Sequence, residues 1–271
     1  MSPCPTRSRM KARSLFASLP KLRSVCLLLA TFGLVGCDEV TEWRQKVTVE
    51  VETPQGLRTG SAVQWAEIRM GEGPTEYYGW GVSWDTDGEA VVIDVRPDAP
   101  EGEPRYLFAL LIGNKVNQFR GGSWGALGPN GLEALMGTDR FIGKVPNDGS
   151  FYDEMSKVMD DLPLGATGEA KGKALPAMVT FADVDDPRTV KVLDPLALDE
   201  AFGPGVRLKR VTITKTDEPV TVGKVEAVLD WIMRGYVIPA EEQPAYVKDQ
   251  TPEQLLSSRH FVALQRFGKN R

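Results

Sequence analysis

Every cysteine in this chain lies within its first 37 residues, at Cys4, Cys26 and Cys37. The roughly 235 residues that follow therefore have no disulfide and no thiolate metal ligand available, and must be held by a packed core. That length suffices for one large domain or two small ones. The stretch that carries the cysteines has a different character. Residues 1–36 hold Arg7, Arg9, Lys11, Arg13, Lys21 and Arg23 and no acidic residue. An apolar run of 11 residues, Val25 to Val35, follows and ends at the small residue Gly36. This is the layout of a secretory signal, and the run is too short for a membrane span, which needs roughly 20 apolar residues. A start at Met10 in place of Met1 gives a more usual signal length and the same mature chain.

The tetrapeptide Leu34-Val35-Gly36-Cys37 resembles the lipobox of bacterial lipoproteins, a leucine three residues before an invariant cysteine. The resemblance implies cleavage after Gly36 and acylation of Cys37, which would become the first mature residue. Each buried CH₂ of an acyl chain contributes ~0.8 kcal/mol, so two or three chains hold a domain firmly on a bilayer. Asp38 and Glu39 resemble the inner-membrane retention signal of enteric lipoproteins, which favours the inner membrane. The expected location is the periplasmic side of a bacterial membrane, and the expected membrane contact is the lipid itself.

Loss of the signal shifts the charge. The chain has 32 basic and 37 acidic residues, and the signal takes six basic ones, leaving 26 against 37, or −11. Such a surface repels phosphate backbones and anionic headgroups, so nucleic acid is not an expected partner. An envelope protein or a glycan is.

Residues 37–45 are polar and read as a tether. Lys46 to Thr53 alternates apolar and polar with period two, as a half-buried strand does, and Pro54-Gln55-Gly56 ends it. Ser61 to Arg69 is a second strand candidate with Val63 and Trp65 on one face. Asp87-Gly88, between Tyr77–Trp84 and Glu89–Val95, predicts a hairpin turn, because both residues tolerate positive φ. Tyr106 to Ile112 is continuously apolar and predicts a strand buried on both faces. Residues 46–145 thus read as a mostly antiparallel β unit, sandwich or open barrel, with one short helical turn at Leu132–Met136.

Residues 146–271 mix strand and helix patterns, packed with the first half as one unit. Phe151, Met155, Val158, Met159 and Leu162 fall at helical spacing, predicting an amphipathic helix over Ser150–Asp161. Gly165 to Lys173 lacks periodicity and reads as an exposed loop, and Ala177 to Ala182 as a strand. Asp194-Pro195 predicts a helix start and Gly203-Pro204 its end, with Leu198, Ala201 and Phe202 buried. Val206 to Lys215 is a strand whose apolar residues change parity, so a bulge near Lys209-Arg210 is expected. Thr221 predicts the cap of a helix over Val222–Arg234, and Thr251-Pro252-Glu253-Gln254 the capping box of a C-terminal helix. The fold class expected is α+β.

Leu175-Pro176, Val179-Thr180-Phe181, Asp186-Pro187, Asp194-Pro195, Phe202-Gly203-Pro204-Gly205-Val206 and Thr216-Asp217-Glu218-Pro219-Val220-Thr221 together resemble a pattern shared by a group of uncharacterised proteobacterial proteins. The N-terminal strand pair and Glu89 to Leu111 are similar to the same group. The resemblance covers most of the mature chain and implies no catalytic residue.

Four constellations carry possible chemistry. Gly121-Gly122-Ser123-Trp124-Gly125 fits the G-x-S-x-G nucleophile elbow, with the single histidine, His260, downstream and Asp194 or Asp217 between them. The context argues against it: Asn117–Arg120 is a poor buried strand, and Gly128-Pro129-Asn130-Gly131 breaks the helix that should follow. A periplasmic serine hydrolase using Ser123 and His260 is the alternative reading. His260 itself, without a second histidine or a cysteine, is expected as a surface or partly packed residue rather than a zinc ligand. Asp85-Thr86-Asp87-Gly88 matches the opening of a calcium loop, yet the glycine falls two places early and the twelfth position is Arg96. Asp183, Asp185 and Asp186 read as turn initiators. Tyr77, Tyr78, Trp80 and Trp84 fit either core packing or an aromatic platform for a sugar or protein. No cofactor motif is present, and the leading expectation is a non-catalytic binding or envelope-assembly protein.

Overall fold

Strand β1 sets the frame. It runs Glu39–Thr53 and turns through Pro54-Gln55 into β2, Gly56–Met70, pairing antiparallel along its whole length from Glu39↔Met70 to Thr53↔Gly56. The structure is a computed structural model and describes residues 39–70, 82–113, 150–234, 237–238, 242–244 and 250–264. The chain divides into Met1–Cys37 and Asp38–Arg271, and all described residues belong to the second unit. Helices are few and the sheets antiparallel, an α+β protein as the patterning predicts.

Odd-numbered residues of β1 point inward, from Thr41 and Trp43 to Val49 and Val51. The period-two pattern thus extends back to Thr41, and residues 39–45 are strand rather than tether. The pattern was obscured there because the inward residues Thr41 and Gln45 are polar and still buried.

The remaining strands are β3 (Val82–Glu89), β4 (Val91–Asp94), β5 (Tyr106–Gly113), β6 (Thr167–Ala170), β7 (Pro176–Phe181), β8 (Val190–Leu193), β9 (Arg207–Thr216) and β10 (Val262–Leu264). They form a six-stranded sheet, β10-β3-β2-β1-β9-β6, and a four-stranded sheet, β4-β5-β7-β8. Helix α1 is Ser150–Asp161, and α2 (Asp199–Phe202) and α3 (Ser258–Phe261) are single turns.

The inner face of the large sheet packs on one face of the small sheet, Val49, Ala66 and Val211 meeting Val91, Leu107 and Met178. The other face of the small sheet, with Phe108, Val179 and Phe181, is covered by Val225, Leu229, Trp231, Leu256 and Phe261. The small sheet is therefore the middle layer of three, which is why β5 is apolar throughout. Phe108, Phe181 and Phe261 meet at ring-centroid distances of 5.6–6.2 Å, and Trp231 stacks edge-on to Phe181 at 5.6 Å.

Three expectations change. Asp87-Gly88 is not a hairpin turn: Asp87 pairs with Trp65 and Gly88 with Ala263, both inside β3. Gly88 does take a positive φ of 131°, with a Cβ there only 3.1 Å from the Gln64 backbone. The backbone signal was real, but it serves the corner where the chain leaves one sheet for the other at Ala90, whose N–H donates to Phe261 O at 2.7 Å. Gly165–Lys173 is not a loop throughout, since β6 is a short edge strand on β9, with Thr167 and Glu169 exposed. Residues 222–234 form irregular turns ending in a short 3₁₀ turn, Ile232–Arg234, rather than a helix. Val225, Leu229 and Ile232 are nevertheless buried as the spacing predicts.

The bulge stands where the sequence places it, while the helices expected after Asp194 and Thr251 are each cut to short turns. In β9, Glu50 pairs with Arg210 and Val51 with Leu208, so Lys209 is the extra residue of the expected bulge. The bulge returns Leu208 to the face that carries Val211 and Ile213. Asp194 Oδ1 accepts from Leu196 N as a turn, α2 starts later at Asp199, and Gly203 ends it with φ 93°. Thr251 and Gln254 exchange the two bonds of a capping box, but the segment makes one turn before α3.

Candidate functional site

Several of the buried polar side chains among the described residues lie where β3 leaves the large sheet and the C-terminal segment rejoins it. Asp87, Glu89 and His260 are all at most 1% exposed, and Gln64 and Gln45 lie on the strands beside them. Four elements build the corner. Strand β3 supplies Asp87 and Glu89, β2 supplies Gln64, and α3 with β10 supplies His260 and the Val262 that pairs with Glu89.

Glu89 reaches the segment that follows Thr221. Its Oε1 accepts from Lys224 N and its Oε2 from Val225 N, each at 3.1 Å. A carboxylate thus caps the first turn at Gly223–Val225, the position the sequence assigned to Thr221. Thr221 instead continues the pairing on β2 beyond the end of β3: its N–H donates to Val63 O at 2.9 Å and its hydroxyl accepts from Val63 N at 2.8 Å. Burial raises the Glu89 carboxyl above its usual range, and the two backbone donors offset only part of that.

His260 is buried, not at the surface or partly packed as its flanking Arg259 suggests. Its Nδ1 accepts from Ser257 N at 3.1 Å, at the start of the four-residue α3. A neutral imidazole whose Nδ1 accepts carries its proton on Nε2. A general base for a serine hydroxyl needs the other tautomer, with Nε2 bare and Nδ1–H held by a carboxylate. Burial, with a smaller contribution from Arg259, lowers the His260 pKa to about 4, so the ring is uncharged at neutral pH.

The amides of Gln45 and Gln64 face each other across β1 and β2. Gln45 Oε1 accepts from Trp43 Nε1 at 3.0 Å and Gln64 Nε2 donates to Glu89 O at 3.2 Å. Those bonds fix both amide orientations and leave Gln45 Nε2 and Gln64 Oε1 without partners, as is the buried hydroxyl of Ser156 on α1. Gln64 also lines a cavity of about 10 Å³ with Val47, Ala109 and Val211, a volume on the scale of one water molecule.

The other sequence candidates are distributed as follows. Cys37, Tyr77, Tyr78, Trp80, Ser123 and the turn at Leu132–Met136 lie outside the described residues. Trp84 and Asp85 lie on β3, their backbones paired with Ile68 and Glu67. Asp85 to Glu89 is extended strand with a glycine kink, not the tight loop that a calcium site of this type requires. Among the described residues no group of three His, Cys, Asp or Glu side chains converges to hold a metal ion. Asp183 Oδ1 accepts from Asp185 N at 2.9 Å and Asp186 Oδ1 from Arg188 N at 2.9 Å, the turn roles expected of them.

Sequence reasoning missed Gln45, Gln64 and the capping role of Glu89. Gln45 fell in the supposed tether and Gln64 beside the strand face read from Val63 and Trp65. Extending the β1 alternation backward from Val47 by one inward position would have exposed Gln45. The partner of Glu89 lies 136 positions away in sequence, and no local pattern points to it. Comparison with protein families, curated proteins and solved structures finds no match.

Proposed function

We propose that this chain is a lipid-anchored protein of the periplasmic face of a bacterial membrane, with a non-catalytic binding or envelope-assembly role. The observation that carries the non-catalytic part is the use made of the reactive side chains. His260, Glu89, Asp183 and Asp186, the groups a reaction would draw on, each accept hydrogen bonds from backbone N–H groups of their own fold. Side chains so engaged shape turns and corners; they are not poised for proton transfer to a substrate. The anchoring part rests on the Leu34–Cys37 tetrapeptide after its apolar run, and the net charge of −11 gives the chain after the signal no overall attraction to anionic headgroups. A protein on the envelope or a glycan is the partner class this location makes available.

The test is membrane partition. Wild-type protein should sediment with membranes and enter the detergent phase on extraction, and Cys37→Ser should leave it in the soluble periplasmic fraction. Unchanged membrane association of Cys37→Ser would overturn the anchor. Ser123-dependent labelling by a serine-directed phosphonate would replace the binding role with a hydrolytic one.

A further inference from the structure

The described sheet begins at Glu39, two positions after Cys37. Two residues of extended chain span at most roughly 7 Å. An acylated Cys37 has its Cα at the depth of the lipid headgroups, so the first paired residue of the sheet must lie within that distance of them. No spacer lets the domain stand off. The register then identifies what shares this end: Glu39 pairs with Met70, and Met70 with Val82. The far end of the same hairpin, Thr53↔Gly56, is 14 residues further along β1, roughly 45 Å at about 3.3 Å per residue.

Two observations bear on how this long hairpin is held. Toward the middle of β1, Lys46 is paired with Glu218 at 3.0 Å and Arg44 donates to Glu218 O at 3.0 Å, so these two cations are engaged within the fold. The domain as a whole carries −11 and is repelled by anionic headgroups. The acyl chains pull on one end of the sheet, while the remainder gains nothing electrostatically by lying down.

We infer that the Glu39–Met70–Val82 end of the six-stranded sheet is held against the phospholipid headgroups and that the Pro54-Gln55 hairpin is the end presented to the periplasm. This rests on the acylation of Cys37 proposed above. A partner that contacts the membrane end must itself be at the bilayer surface, whereas a soluble partner meets the hairpin end.

Photocrosslinking in cell membranes tests it with the full chain. Val40 and Leu57 are 41% and 49% exposed, and lie at opposite ends of the hairpin. Each is replaced, in separate variants, by benzoylphenylalanine, and phospholipid adducts are measured by mass after illumination. Adducts at position 40 should exceed those at position 57 by roughly tenfold or more, given some 40 Å of strand between them. Inserting about 12 Gly and Ser residues between Cys37 and Asp38, a flexible spacer of roughly 20 Å, should abolish most of the position 40 signal without releasing the protein. Equal adducts at the two positions, or a position 40 signal that survives the spacer, would overturn the inference. Cys37→Ser, fractionated in parallel, reports on the anchor separately: its retention on membranes would count against acylation, while the 40-to-57 ratio still reports which end meets lipid.

Discussion

At the scale of single residues, the corner built on Glu89 and His260 shows what burial does to titratable groups. His260 has its pKa lowered to about 4, against 6.5 in an unfolded chain. Between those values the unfolded chain binds the proton and the folded one does not. Its contribution is therefore fully present above pH 6.5 and is lost as pH falls toward 4, up to about 3 kcal/mol in all. Glu89 acts with the opposite sign. Its raised carboxyl takes up a proton in the folded state before the unfolded one does, so acidification through that range favours the fold. In urea denaturation across pH, His260→Gln should flatten the fall in stability between pH 6.5 and 4, since a glutamine can still accept from Ser257 N. An unaltered pH profile in that variant would show that another group governs the acid limb.

Among the elements, β9 links the N-terminal hairpin to the edge of the large sheet. It pairs with β1 on one side and β6 on the other, and its bulge at Lys209 keeps Leu208 inward with Val211. It also stabilises α1. Lys215 Nζ donates to Met159 O at 2.5 Å and to Leu162 O at 2.7 Å, placing a cation at the C-terminal end of a helix that has no basic residue in its own last turn. Lys215→Met keeps the stem and removes the charge. It should cost about 1–2 kcal/mol and speed amide exchange in the last turn of α1 ahead of the sheets, read by hydrogen–deuterium exchange. The helix and the bulge were both legible in sequence, as departures of apolar residues from a fixed period. The residue that ends the helix was not, because it lies 53 positions further along the chain.

For the whole molecule, the two sheets are interleaved. Each takes strands from both the β-rich stretch before residue 145 and the mixed stretch after it, and β10 closes the large sheet from the C-terminal end. The two sheets come close at Gly60. A Cβ there would lie 2.5 Å from Ile93 Cγ1 and 2.6 Å from Val92 O, the second of which is backbone and cannot rotate away. Gly60→Ala should therefore push β4 from β2 and cost about 2–3 kcal/mol or more, measured as a fall in the urea midpoint with the slope unchanged. An alanine tolerated at that site would mean that the sheets can slide.

By itself the sequence determined the periodic quantities: the strand character of β2, β5, β7, β9 and the later part of β1, the amphipathic α1, the bulge in β9, the doubly buried β5 and the packed core imposed by a chain without cysteine beyond residue 37. These depend on neighbours within a few positions, where spacing and side-chain polarity carry the information. Only the tertiary structure decided that Asp87-Gly88 is a corner, that β6 is an edge strand, that residues 222–234 take a carboxylate cap in place of a helix, and that His260 is buried. The first three of those outcomes turn on partners between 41 and 177 positions away, and all four are set by register and burial rather than by local propensity. The backbone freedom of Gly88 was written in the sequence; the strand it had to bend around was not.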